Sequence, residues 1–121
     1  MRIKTSELIG DALDWAVALI EYPEWKEQGY LEVFPYDLHF DDGEVYSPST
    51  NWTQAGPIIE RERISLEFMP GAGDAGADVW VATRVEGSSV SEECAESPLV
   101  AAMRCYVASQ LGDEVEVPED L

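Results

Sequence analysis

The chain has 121 residues, of which 45% are hydrophobic, as is typical of one soluble domain with a packed core. Its 25 Asp and Glu residues outnumber seven Lys and Arg, so a net charge of −18 argues against direct binding to nucleic-acid phosphates or to an anionic membrane. No apolar run suits a signal peptide or a membrane span, and two distant cysteines do not suggest a disulfide framework. We therefore expect a cytoplasmic protein.

The N-terminal segment has the apolar spacing of an amphipathic helix. Thr5 or Ser6 is placed to cap this helix, and Pro23 ends it because the ring removes an amide and clashes with the preceding turn. Trp15 is predicted on a flank between core and solvent. The predicted buried face consists of Ile9, Ala12, Leu13, Ala16, Val17 and Ile20. The opposite, acidic face consists of Glu7, Asp11, Asp14 and Glu21.

The next part of the chain mixes short strand candidates with turns. Residues 30–34 are predicted as a strand that Pro35 ends, and residues 41–43 as a turn between two short extended segments. Pro57 suits the first position of a short helix that reaches about residue 63, because the first helical residue needs no amide donor.

The C-terminal half predicts two paired strands and a helix. Residues 64–68 and 79–85 are expected to pair antiparallel across a Gly/Ala/Asp loop, and a Ser/Glu-rich loop is expected to follow. Ser97 caps the last helix, Pro98 occupies its first position and Gly112 follows its end, before a candidate edge strand at 113–117. We therefore expect a single α+β domain over residues 1–121, in which an antiparallel sheet is covered by the N-terminal and C-terminal helices.

The sequence offers little support for catalytic, cofactor or metal chemistry. Residues 71–76 match G-x-G-x-x-G, but a β-branched run follows where a dinucleotide fold needs a helix, so we interpret them as a hairpin loop. The single His39 and two distant cysteines do not form a zinc pattern, and no nucleophile motif is present. We expect no metal and no cofactor. Carboxylate pairs are the one catalytic arrangement left open, and they carry no information because 25 acidic residues always supply such pairs.

Residues 46–57 form a polar segment with the features of a ligand site. Its donors and acceptors are Ser47, Ser49, Thr50, Asn51 and Gln54. Trp52 offers a face for stacking, Gly56 precedes a helix whose free amides could receive an anion, and Arg61 and Arg63 could meet a phosphate. The alternative is an ordered polar loop in which Trp52 fills the core and the arginines form local ion pairs.

Three further residues stand out at the margins of the predicted helices. Asp14 and Trp15 lie at the edge of the first helix, where a core position need not be aromatic. Arg104 lies in the last helix, which is otherwise short of charge. Each of them either has a structural role, such as neutralising a carboxylate, or faces a ligand.

Three blocks of this sequence carry a family resemblance: KTSEL with LDWAVA near the N-terminus, PSTNWTQAGPIIER at 48–61 and AAMRCYVASQLGDEV at 101–115. In order and wording they resemble the NinX-like small proteins of tailed phages and prophages. The resemblance implies a phage or prophage protein acting in the bacterial cytosol, and it supplies no biochemical role. It also implies that Asp14, Trp15, residues 48–61 and Arg104 are shared by the family, which favours a ligand site there.

Two functions of different classes follow from these observations. The first is a non-enzymatic protein that binds a small polar ligand, for example a nucleotide-type molecule, to blunt a host defence signal. The second is an acidic, DNA-mimic-like module that docks on a basic host or phage DNA-processing protein. An enzyme that uses carboxylates ranks below both. A homo-oligomer formed through the sheet edge or the Trp15 flank is also compatible with the sequence.

Overall fold

Five α-helices and five strands organise the chain, and the computed structural model describes all residues from 1 to 121. The helices are α1 (Gly10–Glu21), α2 (Pro23–Glu27), α3 (Tyr30–Val33), α4 (Trp52–Glu62) and α5 (Pro98–Leu111). The strands are β1 (Arg2–Lys4), β2 (Ser65–Met69), β3 (Val79–Glu86), β4 (Ser89–Ala95) and β5 (Glu114–Glu116). The predicted α+β class is confirmed. No helix combines the length and the apolar character needed to cross a membrane.

Two separate antiparallel sheets replace the single predicted sheet. β2, β3 and β4 form a meander in which Leu66 lies opposite Ala82, and helix α5 packs against it. β1 and β5 form a second, two-stranded sheet in which Ile3 lies opposite Val115. The pairing that we predicted between 64–68 and 79–85 is confirmed, and the candidate edge strand at 113–117 is present as β5.

Helix α5 is the centre of the core. Ser97 accepts a hydrogen bond from the Val100 amide, Pro98 is its first residue and Gly112 follows its end, as predicted. Its buried residues are Leu99, Val100, Ala101, Ala102, Met103, Cys105, Tyr106 and Val107. Helix α1 packs against α5, and α5 packs against the meander, so α1 does not cover the sheet as predicted.

The start of α1 differs from the prediction. The helix begins at Gly10 without a side-chain cap, while Thr5 lies in a preceding 3₁₀ turn, where its buried hydroxyl donates to the Gly112 carbonyl at 2.6 Å. Ile9 precedes the first helical turn and is therefore 64% exposed instead of buried. The prediction that Thr5 or Ser6 caps this helix is wrong because Thr5 serves a tertiary contact.

Two other elements were assigned wrongly. Residues 30–33 form the short helix α3 instead of a strand, and its Leu31 is buried. Gly29 precedes the helix in the left-handed conformation at φ 77°. The predicted Ser/Glu-rich loop is largely the strand β4, which pairs with β3 along its whole length. β4 was not predicted because its sequence lacks the alternation of a half-buried strand. Its half-buried positions are Ser91, Glu93 and Ala95, and Val90 is exposed.

Helix α4 begins five residues earlier than predicted. Asn51 caps it by accepting from the Thr53 amide at 2.9 Å, so Trp52 is the first helical residue and Pro57 lies in the interior. Gly56 is consequently inside the helix and does not precede it. Pro57 leaves the Thr53 carbonyl without its usual donor, but both residues are exposed, so water can satisfy that carbonyl.

The hairpin loop between β2 and β3 contains the glycine-rich run. Residues 74–76 form a 3₁₀ turn, and Gly76 has a positive φ of 80°. A Cβ atom at Gly73 would lie 2.7 Å from the Val79 side chain and 3.0 Å from the Ala77 carbonyl oxygen. The loop joins two strands, as predicted, and no helix follows it.

Candidate functional site

A buried carboxylate joins helix α1 to the polar segment that precedes α4. Asp14 was predicted on the solvent face, but it is only 7% exposed and accepts a hydrogen bond from the Ser49 amide at 2.8 Å. Burial raises the pKa of Asp14 to about 6, and the nearby Asp11 carboxylate adds to this effect, while the amide and hydroxyl of Ser49 oppose it. The prediction of an exposed Asp14 is wrong because the chain folds back over α1 at Ser49.

Asp14 lines a small cavity of about 70 Å³, which we call the Asp14 pocket. Its walls come from α1, from the segment after α3 and from the residues before Ser49. The lining residues are Asp11, Asp14, Pro35, Tyr36, Asp37, Leu38, Val45, Tyr46 and Ser47. Three carboxylates and no cation line the pocket, so its field attracts hydrogen-bond donors and cations and repels anions.

Gln54 holds the rim of the Asp14 pocket. Its side-chain amide donates to the Val45 carbonyl at 2.7 Å and to Glu44 at 3.0 Å, and its Oε1 accepts from the Ser47 amide at 2.6 Å. Thr50 closes a local turn through the Ser47 carbonyl, which accepts from the Thr50 amide at 3.0 Å and from its hydroxyl at 3.4 Å. Gln54 and Thr50 therefore shape the segment, whereas Ser47 faces the pocket.

The hydroxyl of Ser49 is the exception in this network. Ser49 is 2% exposed, and its Oγ has no hydrogen-bond partner of acceptable geometry. An unpaired buried hydroxyl costs free energy, so such a group is unusual in a segment with no other role. The Ser49 hydroxyl thus lies beside the Asp14 carboxylate, whose one well-formed hydrogen bond comes from the Ser49 amide.

Trp52 lies at the first position of α4 and is 56% exposed. The alternative in which Trp52 fills the core is therefore wrong. We expected the free amides at the start of this helix, after Gly56, to receive an anion. The helix begins at Trp52 instead, and the Thr53 and Gln54 amides of its first turn already donate to Asn51.

Arg61 is held by carboxylates. Its guanidinium donates to both oxygens of Glu21, at 3.1 and 2.7 Å, and its Nε donates to Glu62 at 2.7 Å. It also lies over the ring of Tyr106, 5.8 Å from the centroid. These hydrogen bonds raise the pKa of Arg61 above its ordinary value. Arg61 therefore forms the local ion pairs that the alternative interpretation expected.

Trp15 is buried at 7% exposure, and its Nε1 donates to the Leu31 carbonyl at 2.9 Å. Its ring forms part of the wall of a second cavity, the Trp15 groove, with a volume of about 500 Å³. The groove is lined by Trp15, Leu19, Lys26, Leu31, Glu32, Leu111 and residues 114–118. Asp14 and Trp15 are neighbours in sequence, yet they line two different cavities.

Arg104 joins three parts of the fold through backbone carbonyls. Its Nε donates to Leu8 at 2.7 Å and its Nη1 donates to Cys94 at 3.0 Å. Burial lowers the pKa of Arg104. Arg104 lies in neither cavity, so of its two predicted roles the geometry supports the structural one.

The predicted site residues therefore do not form one cluster. Asp14 and Ser47 line the Asp14 pocket and Trp15 lines the Trp15 groove, whereas the other predicted site residues line neither cavity. Sequence reasoning missed the pocket residues Tyr36 and Asp37. It also left out Asp11, which the i, i+3 spacing with Asp14 could have indicated.

Comparison with known proteins gives one family. Residues 4–110 match the family described as "Bacteriophage P22, NinX", and this range covers the polar segment, the cavity-lining residues of α1 and Arg104. No curated protein matches the chain. The resemblance noted from the sequence is confirmed, and the chain belongs to the bacteriophage P22 NinX family of phage accessory proteins.

Proposed function

We propose that this phage protein binds a small polar ligand without chemical turnover, and that Asp14 accepts a hydrogen bond from a donor group of that ligand. The observation that carries the proposal is the Asp14 carboxylate, which lines a cavity and has one protein donor, the Ser49 amide. A carboxylate offers about four acceptor positions, so Asp14 retains unused capacity toward the cavity.

The lining of the Asp14 pocket defines the ligand chemistry. Asp11, Asp14 and Asp37 favour an amine, an amide or an exocyclic amino group and disfavour a phosphate. A volume of about 70 Å³ holds one such end group, while the rest of the ligand lies outside the pocket. A nucleotide-type ligand would therefore enter with its base, and the exposed Trp52 is available for stacking.

The energetic cost of Asp14 supports a functional role. Burial disfavours the ionised form of Asp14, so this residue lowers the free energy of unfolding near neutral pH. An apolar or amide residue at the same position would not carry this penalty. Residues that reduce stability are expected where binding requires them. Acting in the host cytoplasm, such a protein would sequester a defence signal by mass action, in proportion to its abundance and affinity.

Native mass spectrometry tests this proposal. The purified protein is incubated with protein-free small-molecule extracts of infected and uninfected bacteria, and its mass is then measured. We expect an added mass on the wild type that is lost on denaturation and absent from Asp14→Asn. Trp52→Ala should reduce the added mass without unfolding the domain, because this side chain is largely exposed.

The matched control is Asp120→Asn, which removes an exposed carboxylate outside both cavities. It should retain the added mass. Equal retention by Asp14→Asn would show that Asp14 does not read the ligand. No added mass from any extract would count against small-ligand binding as a whole.

A second function is favoured by the distribution of charge. Arg2, Arg61 and Arg84 are engaged in ion pairs, and Arg104 binds backbone carbonyls, yet most of the 25 acidic residues have no cationic partner. The surface is therefore strongly acidic, as a module that docks on a basic protein requires. Affinity for a basic DNA-processing protein should fall steeply between about 0.05 and 0.5 M salt, and a flat profile would contradict docking by charge.

A further inference from the structure

The outer edge of β5 carries unpaired backbone groups. The Val117 amide donates toward the β1 side at 2.8 Å, and the Asp113 carbonyl accepts from that side at 2.8 Å. Successive residues of an antiparallel strand direct their backbone groups to opposite sides, so those of Glu114 and Glu116 point away from β1. No other strand pairs with β5, and this edge is therefore open.

The Trp15 groove runs along the same edge. Residues 114–117 form one wall, and Trp15, Leu19 and Leu31 contribute to the facing apolar wall. Four strand residues span about 13 Å at the rise of an extended chain. A groove of about 500 Å³ beside this edge thus offers both hydrogen-bonding groups and apolar surface to an extended segment.

We propose that β5 accepts a short extended segment of a basic partner protein as a third strand, with apolar side chains entering the Trp15 groove and Lys or Arg side chains meeting its acidic rim. The rim carboxylates are Glu32, Glu114 and Glu116, which outnumber Lys26, the one cation in the lining. The backbone bonds of strand addition supply affinity, and the alternating side chains supply specificity. This inference deepens the docking function proposed above by giving it a surface, and it is independent of the Asp14 pocket.

The rim is available to a partner's cations. Arg2 contacts Glu114 at 3.4 Å and Glu116 at 3.7 Å, and the N-terminal ammonium contacts Glu116 at 3.0 Å, but all of these residues are about half exposed or more. Exposed pairs of this kind contribute little, so Lys or Arg of an incoming strand can replace them at small cost.

Charge also argues against a second copy of the chain on this edge. Antiparallel pairing of two β5 strands would bring Glu114 and Glu116 of one chain against the same residues of the other, and like charges directly opposite are destabilising. Two chains of net charge −18 also repel each other at long range. A basic segment avoids both the repulsion between facing glutamates and the long-range repulsion between two acidic chains.

The test uses the full-length protein and labelled synthetic peptides of about seven residues, the length of an ordinary strand. An array alternates Lys or Arg with Val, Ile, Leu or Phe, and matched peptides carry Glu at the charged positions or an N-methylated central residue. Glu116→Pro removes the outward amide of β5, whereas Glu116→Gln removes the same charge and keeps the amide. Glu67→Gln, in the other sheet, is the control for loss of charge alone.

We expect basic peptides to bind, and Glu116→Pro and the N-methylated peptide each to weaken binding about tenfold, the loss of one good hydrogen bond. Glu116→Gln should weaken it less and Glu67→Gln hardly at all. Bound peptide should also protect the Glu114 and Glu116 amides of the wild type from hydrogen exchange, a readout that stands if the proline variant does not fold.

Three results would overturn the inference. Equal binding by folded Glu116→Pro, without amide protection, would leave the acidic docking function in place but move it to another surface. A basic segment at this edge would be ruled out if acidic and basic peptides bound equally well, or if no peptide of the array bound. Concentration-dependent protection of Glu114 and Glu116 without peptide would assign the edge to a second copy.

Discussion

The phenol of Tyr106 donates a hydrogen bond to the Glu21 carboxylate at 2.6 Å and so joins the middle of α5 to the end of α1. Arg61 of α4 binds the same carboxylate through both terminal nitrogens and also donates to the phenol oxygen at 3.2 Å. Three helices therefore meet at one charged, partly buried carboxylate, and each of the three side chains is hydrogen-bonded to the other two.

Tyr106→Phe should destabilise the protein by about 1–2 kcal/mol, because it removes a hydrogen bond to a charged group while Arg61 still pairs with Glu21. Urea denaturation measures the change. Tyr36→Phe is the control, since Tyr36 is 61% exposed and should change stability very little. Equal stability of both variants would contradict a stabilising role for the Tyr106 hydroxyl.

Asp14→Asn should stabilise the protein at neutral pH. The pKa of Asp14 is raised from 3.8 to about 6 in the folded state, so the folded protein binds the proton more tightly than the unfolded chain does. The penalty is absent below about pH 4, grows between about pH 4 and 6, and stays at about 3 kcal/mol above that range. The asparagine variant should gain up to this amount.

Urea denaturation of wild type and Asp14→Asn from about pH 3.5 to 8 checks this sign. The two curves should converge at low pH and separate as pH rises, with the variant more stable. Asp120→Asn, which changes an exposed carboxylate, should follow the wild type at every pH. A variant that loses stability near neutral pH would mean that the Asp14 charge is stabilised by its surroundings.

Arg104→Met should cost about 2–4 kcal/mol, because the apolar stem remains while two backbone carbonyls lose a charged donor. Arg104→Lys should recover only part of the loss, since one ammonium lacks the fork that reaches both Leu8 and Cys94. Lys26→Met, at an exposed position, should change stability by no more than about 0.5 kcal/mol. Thermal denaturation compares the three, and a neutral Arg104→Met would contradict the bridging role.

The two cysteines should differ sharply in reactivity. Cys94 is exposed, whereas Cys105 is fully buried, and burial raises the pKa of its thiol to about 11. A thiol-specific reagent near pH 8 should modify one cysteine in the folded protein and both after denaturation. Cys94→Ser should abolish the fast reaction, and rapid modification of Cys105 in that variant would contradict its burial.

Local signals predicted the elements that carry their own start and end. Ser97, Pro98 and Gly112 bound α5 as expected because caps act within a few residues. Elements without such signals were missed: β4 pairs with β3 across the tight turn at 87–88, and α3 is a helical turn that buries Leu31. Its short apolar run fits a strand and one helical turn equally well.

The candidate site was harder to predict than the fold, because its contacts join residues far apart in sequence. Asp14 and Ser49 are 35 residues apart, and Arg61 and Glu21 are 40 apart. The polar composition of residues 46–57 correctly drew attention to the segment. That composition could not distinguish side chains that hydrogen-bond within the protein, such as Gln54, from side chains that face a cavity, such as Ser47.

The glycine-rich hairpin loop shows how one spacing can arise from unrelated backbone requirements. Gly76 has a left-handed backbone conformation, which favours glycine. At Gly73 a side chain would clash with Val79 and Ala77. Neither requirement involves a phosphate, although the pattern coincides with a dinucleotide fingerprint. Relatives of this chain that lose the pattern would therefore keep the conformation of the loop wherever glycine remains at positions 73 and 76. The glycines record chain geometry and say nothing about nucleotide binding.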